Sequence, residues 1–146
     1  MNSNSINVKL HTEIKIQASR EEVWNVLMDF KKYPEWNPFI KSISGEQKVG
    51  SHLKVNLQGM TFKPEILVLE KNREFKWVGK LWIKGLFDGT HQFALEESGD
   101  GTISFIHGES FSGILVPLFK KKLETETNFA FQKMNKALKN RAESMK

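Results

Sequence analysis

The longest helical pattern in the chain is Leu115 to Ser144, LVPLFKKKLETETNFAFQKMNKALKNRAES. At about 100° per residue, its apolar side chains fall on one narrow stripe, with two more at the edge. The stripe is Leu115, Phe119, Leu123, Ala130, Met134 and Ala137, and the edge is Phe131 and Leu138. Pro117 lies in the first turn, where a missing N–H costs nothing, and neither Gly nor Pro follows. The pattern predicts one helix of about 30 residues, roughly 45 Å long, that packs on a long apolar surface.

The residues before this helix alternate between apolar and polar, as β-strands with one wet face do. The first strand runs from Ile6 to Ile16. Two short helices follow it: a capping box of Ser19 and Glu22 begins the first, and Trp36-Asn37-Pro38 ends the second. Further strands are predicted at Phe39–Ser44, His52–Gln58, Phe62–Glu70, Glu74–Ile83, Leu86–Glu97 and Thr102–Ser112. This order predicts an α+β fold in which an antiparallel sheet of about seven strands curls around the long helix.

Length and composition set further limits. The 146 residues, 1–146, are expected to form a single domain. Cysteine is absent, which excludes disulfides and thiolate metal sites, and neither a signal sequence nor a long apolar run is found. We therefore expect a soluble, cytoplasmic protein without stable membrane insertion. The net charge of +5 comes from the predicted long helix, and we interpret it as a solvated lysine face rather than as a nucleic-acid or membrane site.

The segment around the two short helices resembles that of a known superfamily. Val23-Trp24, Leu27, Asp29 and Tyr33-Pro34-Glu35-Trp36-Asn37-Pro38-Phe39 are similar to the opening helices of START-like, or SRPBCC, proteins. The order of elements over nearly the whole chain is similar to their helix-grip fold. The resemblance, closest to polyketide cyclase/dehydrase-like members, implies a seven-stranded sheet that wraps a C-terminal helix around an internal cavity. It leaves the function open, because this fold hosts carriers, receptors, cyclases and chaperone activators.

The residues themselves also predict a cavity. One helix laid across a curved sheet cannot contact all of it, and many of the 11 Phe and 4 Trp fall on inward-facing positions. A gap with such walls suits an apolar small molecule, although the same aromatic rings could instead fill it as a solid core. The expected lining is Phe30, Trp36, Val55, Leu57, Phe75, Trp77, Phe87, His91, Phe93, Phe105, His107, Glu109, Phe111, Leu115, Phe119, Leu123, Glu126 and Met134. The mouth is expected at Tyr33–Phe39, near Gly59, at 85–87 and at the start of the long helix.

Three ionisable residues share the inward face of the last two strands. The parity that buries Phe105 and Phe111 also places His107 and Glu109 inward, unless a bulge at Gly108 breaks it. His91 lies inward on the preceding strand, opposite His107 in one hairpin register and opposite Glu109 in the other. Glu126 lies near the helix stripe and could join them. Buried groups of this kind must pair with each other, contact water or bind a ligand.

These residues allow three interpretations. They could form a structural His–Glu hydrogen bond, a polar end that orients a ligand, or a general acid/base pair made from His91, His107 and Glu109. A metal site of two His and one Glu is a weaker alternative, and no phosphate loop, nucleophile elbow or other cofactor motif is found, so neither a metal nor a cofactor is predicted.

We therefore predict binding or transport of a small hydrophobic molecule, such as a lipid, polyketide or aromatic metabolite, by a monomer or homodimer. Whether the protein is an enzyme stays open. The alternatives are a polyketide cyclase/dehydrase-type enzyme, which would act on a bound substrate, and a chaperone-activator-like interaction module, which would need no cavity.

Overall fold

The computed structural model describes residues 7–81 and 87–145, and within them the chain forms eight strands and four α-helices. The strands are β1 (Asn7–Ile16), β2 (Ile40–Ser44), β3 (Lys54–Leu57), β4 (Met60–Phe62), β5 (Glu65–Glu70), β6 (Glu74–Leu81), β7 (Phe87–Glu97) and β8 (Ile103–Ser112). The helices are α1 (Arg20–Met28), α2 (Tyr33–Trp36), α3 (Val116–Lys122) and α4 (Asn128–Ser144). The outermost residues of three predicted strands, Ile6, Ile83 and Leu86, lie outside the described residues.

The strands form two antiparallel sheets. One has the order β1-β8-β7-β6-β5, and the other has the order β2-β3-β4. The predicted strand 62–70 is divided between the two sheets at Pro64, which has no N–H to donate to a ladder. Pro64 still bonds to the residue before β3, because its carbonyl accepts a hydrogen bond of 2.9 Å from the N–H of Leu53. The predicted α+β helix-grip fold is confirmed, with eight strands described where about seven were expected.

The two short helices begin and end where the sequence indicates. The Ser19 hydroxyl accepts from the N–H of Glu22 at 3.0 Å, and the Glu22 carboxylate accepts from the N–H of Ser19 at 2.8 Å. These reciprocal bonds satisfy donors that the first helical turn leaves free. A 3₁₀ turn at Phe30–Lys32 joins α1 to α2, and the buried Tyr33 hydroxyl donates to the carbonyl of Leu27 at 2.7 Å. The hydrogen bond ties the two helices together.

The C-terminal helix is continuous but not regular, which corrects the prediction of one regular helix. A π-helical turn, Leu123–Thr127, separates α3 from α4, and the N–H of Asn128 bonds to the carbonyl of Leu123 five residues earlier. A π turn takes one residue more than an α turn, so the buried face moves by one position beyond it. In α4 the buried residues are Phe131, Met134, Asn135, Leu138 and Ala142. Phe131 and Leu138, predicted at the edge of the stripe, are therefore buried, whereas Ala137, predicted within the stripe, is only partly buried.

The helix packs on the concave side of the five-stranded sheet in two apolar clusters. The larger cluster includes Phe75, Phe93, Phe105 and Leu138, and the smaller one joins Phe111 and its neighbours to α3. Within the described part of the chain, no helix combines the length and apolar character that crossing a membrane requires.

Candidate functional site

A cavity of about 400 Å³ lies between the sheets and the C-terminal helix. Its wall takes residues from β2, β3, β4, β6, β7, β8, the π turn and α4, and from the segment after α2. Of the residues singled out in the sequence, the wall contains Val55, Leu57, Trp77, Phe87, His91, Phe93, His107, Glu109, Phe111, Leu123 and Met134. The aromatic rings therefore surround an open space instead of filling it completely.

Three of the other predicted lining residues lie deeper in the core. Phe30, Phe75 and Phe105 are buried, and none of them is part of the cavity wall. The Phe105 ring stacks on Phe93 with centroids 5.9 Å apart, and Phe75 stacks on the same ring at 5.9 Å. Phe75 and Phe105 therefore flank Phe93 from the neighbouring strands β6 and β8. Their inward orientation is as expected, but they pack beside a wall residue and do not line the cavity.

The remaining four lie at the edge of the site or outside it. Trp36 packs on Tyr33 with ring centroids 4.9 Å apart, and Leu115 packs on the smaller apolar cluster. Phe119 is 37% exposed and contacts the ring of Phe87. Glu126 does not join the His–Glu group, because the π turn leaves its side chain exposed.

The wall also contains residues outside the expected lining set, although Ala130 and Phe131 belong to the predicted helix stripe and its edge. The additional residues are Asn37, Phe39, Ile40, Met60, Phe62, Gly79, Lys80, Gly89, Thr127, Ala130 and Phe131. Asn37, Phe39 and Met60 come from two of the segments predicted to form the mouth. The Asn37 side-chain oxygen accepts from the N–H groups of Phe39 and Ile40 at 2.9 and 2.8 Å, which fixes the turn into β2. The mouth segment at residues 85–86 lies outside the described residues.

His91, His107 and Glu109 meet in the wall of the cavity. The β7–β8 ladder pairs His91 with Glu109, which is the second of the two registers considered, and it runs without a bulge past Gly108. His91 Nδ1 lies 3.0 Å from Glu109 Oε1, and His91 Nε2 lies 2.7 Å from His107 Nε2. The second carboxylate oxygen, Oε2, lies over Gly89, where an added Cβ would come within 2.3 Å of it. Gly89 thus leaves the space that the carboxylate occupies.

Two further polar residues extend this group away from the cavity. His107 Nδ1 lies 2.7 Å from Asn135 Oδ1, and Asn135 Nδ2 donates to the Thr12 hydroxyl at 2.8 Å. The Thr12 hydroxyl donates in turn to the backbone carbonyl of His107 at 2.7 Å. Thr12 shares the buried face of β1 with Val8, Leu10 and Ile16, as the alternation of a strand requires. Asn135 was not recognised, because it reaches the buried face only through the shift that the π turn introduces.

The surroundings of His107 favour its neutral form. Burial holds the pKa of His107 well below its usual value, and the neighbouring His91 lowers it further, while the hydrogen bond to Asn135 acts in the opposite direction. The His107 ring stacks on Phe131 with centroids 4.1 Å apart and 14° between the planes. This apolar contact shields the ring from water. A charged imidazolium would lose its hydration there, which is why burial lowers the pKa of His107.

Stability should consequently fall on acidification. Below about pH 6.5 the unfolded chain takes up a proton at His107 that the folded protein excludes, so the free energy of unfolding decreases as the pH falls, by up to about 1.4 kcal/mol per pH unit. Urea unfolding at pH 7.5, 6.5 and 5.5 measures this slope. His107→Gln should show a shallower slope over that range, whereas equal slopes would mean that other groups dominate. The groups facing the ring are His91, Asn135 and the backbone of Phe131, with Glu109 beyond His91.

The polar cluster is arranged as a line and not as a metal cage. The nitrogens of His91 and His107 point at each other, so no common point faces both rings and the Glu109 carboxylate. Among residues 7–81 and 87–145, no three His, Cys, Asp or Glu side chains come together as a metal site requires. What the line does provide is a path of hydrogen bonds that ends at a carboxylate in the cavity wall.

Residues 7–143 match the family described as polyketide cyclase/dehydrase and lipid transport. A search of curated proteins finds no match.

Solved structures of similar fold include a hypothetical protein from Helicobacter pylori, at TM-score 0.80 and 16% identity over 92% of this chain and 88% of that one. They also include a START superfamily protein from Mycobacterium smegmatis, at TM-score 0.73 and 19% identity over 94% and 99%. A norcoclaurine synthase from Thalictrum flavum aligns at TM-score 0.72 and 14% identity over 97% and 89%. At these identities the structures show a shared fold. The family match over almost the whole chain shows that this protein belongs to the polyketide cyclase/dehydrase and lipid transport family, within the START-like superfamily that its sequence resembles.

Proposed function

We propose that the protein binds a small, largely apolar molecule in the cavity and that the Glu109–His91 pair orients the polar end of this molecule. The observation that carries the proposal is a cavity of about 400 Å³ with an apolar and aromatic wall and one hydrogen-bonded His–Glu pair in it. That volume exceeds the roughly 300 Å³ at which ligand sites begin. Burial of an apolar ligand would supply most of the affinity, and the polar pair would fix its direction.

The position of the pair favours ligand contact over a purely structural role. The His91 and Glu109 side chains remain 13% and 16% accessible because both border the cavity. A pair with only a structural role would not need to be accessible from the cavity. The family match supports either a hydrophobic-ligand or a cyclase role, and it leaves the ligand unnamed.

Ligand binding can be tested with naphthalene and 2-naphthylmethanol, which differ only in a hydroxymethyl group. Thermal shift and calorimetric titration should show that both stabilise the protein. Ala130→Phe should block binding, because Ala130 lines the cavity. Ala137→Phe, two turns further along the same helix and outside the wall, should not. If neither compound binds, or if both variants behave alike, the cavity is not a ligand site.

Glu109→Gln is expected to weaken binding of 2-naphthylmethanol by about 5–10-fold and to leave naphthalene binding unchanged. Glutamine keeps an acceptor oxygen beside His91, but a neutral hydrogen bond is weaker than one to an ionised partner by about 1 kcal/mol. Calorimetric titration of both compounds with both proteins gives the two ratios. Should the melting temperature fall while both affinities stay constant, the pair is structural only.

The same pair also favours a second function, that of a cyclase-type enzyme. A carboxylate beside an imidazole can take a proton from carbon next to a carbonyl group, and such a step begins a condensation that closes a ring. The proton would pass from the substrate C–H bond to Glu109, and His91 would stabilise the enolate charge. Exchange of the α-hydrogens of 2-tetralone for deuterium in D₂O, followed by NMR, measures this step. Exchange that exceeds the buffer rate and disappears in Glu109→Gln supports an enzyme, and exchange at the buffer rate rejects it.

A further inference from the structure

Five side chains form one line of hydrogen bonds from β1 through α4 to the cavity. In order they are Thr12, Asn135, His107, His91 and Glu109, and each link measures between 2.7 and 3.0 Å. Thr12, Asn135 and His107 are 6%, 2% and 1% exposed, so their polar atoms depend on one another for partners. In such a line, the direction of one hydrogen bond decides the direction of the next.

The direction is set at the end far from the cavity. A hydroxyl has one hydrogen, and that of Thr12 donates to the carbonyl of His107 at 2.7 Å. Towards Asn135 the same oxygen must therefore accept, and only the amide nitrogen of Asn135 can donate to it. This places the amide oxygen of Asn135 against His107 Nδ1. The orientation of the amide is thus fixed by its partners.

From Asn135 the order of protons follows link by link. An amide oxygen only accepts, so His107 carries its hydrogen on Nδ1. His107 is 1% exposed and stacks on Phe131, and this burial disfavours a second proton on the ring. Its Nε2 is therefore bare and must accept from an N–H at His91 Nε2. His91 Nδ1 and Glu109 Oε1 then face each other at 3.0 Å. Two lone pairs or two hydrogens would repel across this distance, so the two atoms share one proton.

We propose that Thr12 and Asn135 are positioning residues that set this direction, and that they make the polar end of the cavity uncharged and hydrogen-bond accepting, so that it selects neutral ligands with an O–H donor. Wherever the shared proton resides, the His91–Glu109 pair has no net charge and the oxygen over Gly89 is an acceptor. A ligand carboxylate would meet that acceptor with no positive charge to offset its own. The inference rests on the proposed function of the same cavity.

Loss of the Thr12 hydroxyl should reverse the line. In Thr12→Val the Asn135 amide would leave two buried N–H groups without a partner unless it turned, and unpaired N–H groups are tolerated less well than a carbonyl. The turned amide donates to His107 Nδ1, His107 donates from Nε2 to His91, and His91 donates from Nδ1 to Glu109. The shared proton is then absent, and the polar end of the cavity carries one negative charge.

Nitrogen-15 NMR of the histidine rings tests the direction without any ligand. In the wild type we expect Nδ1–H at His107 and Nε2–H at His91, and in Thr12→Val the opposite tautomer at both rings. Thr12→Ser keeps a hydroxyl and should restore the wild-type pattern. The other two of the four histidines, His11 and His52, are exposed and serve as references. If the wild type itself shows Nε2–H at His107, the proposal is overturned, even if Thr12→Val does not fold.

The ligand preference is tested with three compounds of one shape: 2-naphthylmethanol, 2-naphthoate and 2-naphthylmethylammonium. The wild type should prefer the alcohol, and Thr12→Val should gain about tenfold in affinity for the ammonium relative to the alcohol, while Thr12→Ser should not. Lys80, the other charged residue of the lining, is exposed. Tight naphthoate binding that is insensitive to residue 12 would place the anion at Lys80 and overturn the predicted selectivity. Failure of all three compounds to bind, with the expected tautomers present, would reject the ligand function and leave the positioning role in place.

Discussion

Phe105→Ala is expected to lower the free energy of unfolding by about 3–5 kcal/mol, the usual cost of truncating a fully buried phenylalanine. Phe105 is 0% exposed, and its ring stacks on Phe93 at 5.9 Å. The neighbouring strands are held by continuous ladders on both sides of β8, so the space left by the ring cannot close easily. Urea or thermal unfolding provides the measurement.

Two controls show whether the stability lost in Phe105→Ala comes from the burial of this ring in the core. Phe129→Ala, at a residue 60% exposed on α4, should change stability by less than about 1 kcal/mol. Because Phe105 does not line the cavity, naphthalene should bind the Phe105→Ala protein with nearly unchanged affinity. A loss of binding as large as the loss of stability would mean that the ring reaches the ligand.

Gly108→Ala is expected to destabilise the protein by about 3 kcal/mol, the upper end of the usual cost of overpacking. A Cβ at this position would lie 2.6 Å from the backbone oxygen of Leu10 on the paired strand β1. A backbone oxygen cannot rotate away as a side chain can, so β1 and β8 must separate locally. The shift would reach the next residue pair of the ladder, in which Thr12 on β1 faces His107 on β8.

Gly79→Ala is the matched control for this substitution. Gly79 lies on β6, and an added Cβ there would meet only the Phe62 ring, at 3.4 Å, an ordinary contact. The free energy of unfolding of Gly79→Ala should stay within about 1 kcal/mol of the wild-type value. An equal loss in both variants would point to the general effect of replacing glycine in a strand and not to the close approach of β1.

The parity of the strands was sufficient to predict which residues face inward. Alternation of two is a strict property of an extended chain, and it placed His107, Glu109 and Phe111 on one face without any knowledge of the structure. Parity does not show depth, however. Phe105 and Phe111 share the face of β8, yet only Phe111 borders the cavity, and Phe105 packs against Phe93 in the core.

The register of the β7–β8 hairpin could not be decided from the sequence. A turn containing Gly99 and Gly101 is compatible with two pairings that keep like faces together, and both φ angles are positive in the structure, at 82° and 88°. Only the pairing of His91 with Glu109 brings the imidazole between the carboxylate and His107. The presence of the three groups was predictable, and their order along the line was not.

The helical periodicity failed at one defined point. Counting 100° per residue across Leu115–Ser144 assumes a uniform helix, and the π turn invalidates the count for every residue after it. Asn135 was therefore assigned no role, although it links His107 to Thr12. One signal in the sequence did point to Asn135. It lies four residues after Phe131, which is at the edge of the predicted stripe, and residues at this spacing are neighbours on a helix surface.

The π turn also bears on how this family can diversify. A single-residue insertion in a helix leaves a turn of this kind, and it alters the phase between the two halves without breaking the helix. In this chain the altered phase places Asn135 in contact with Thr12 and His107. An alignment with a relative that has a regular helix should carry a one-residue gap at 123–127. Aligning the two without that gap would match Asn135 to the wrong position and conceal the residue from any comparison of conserved sites.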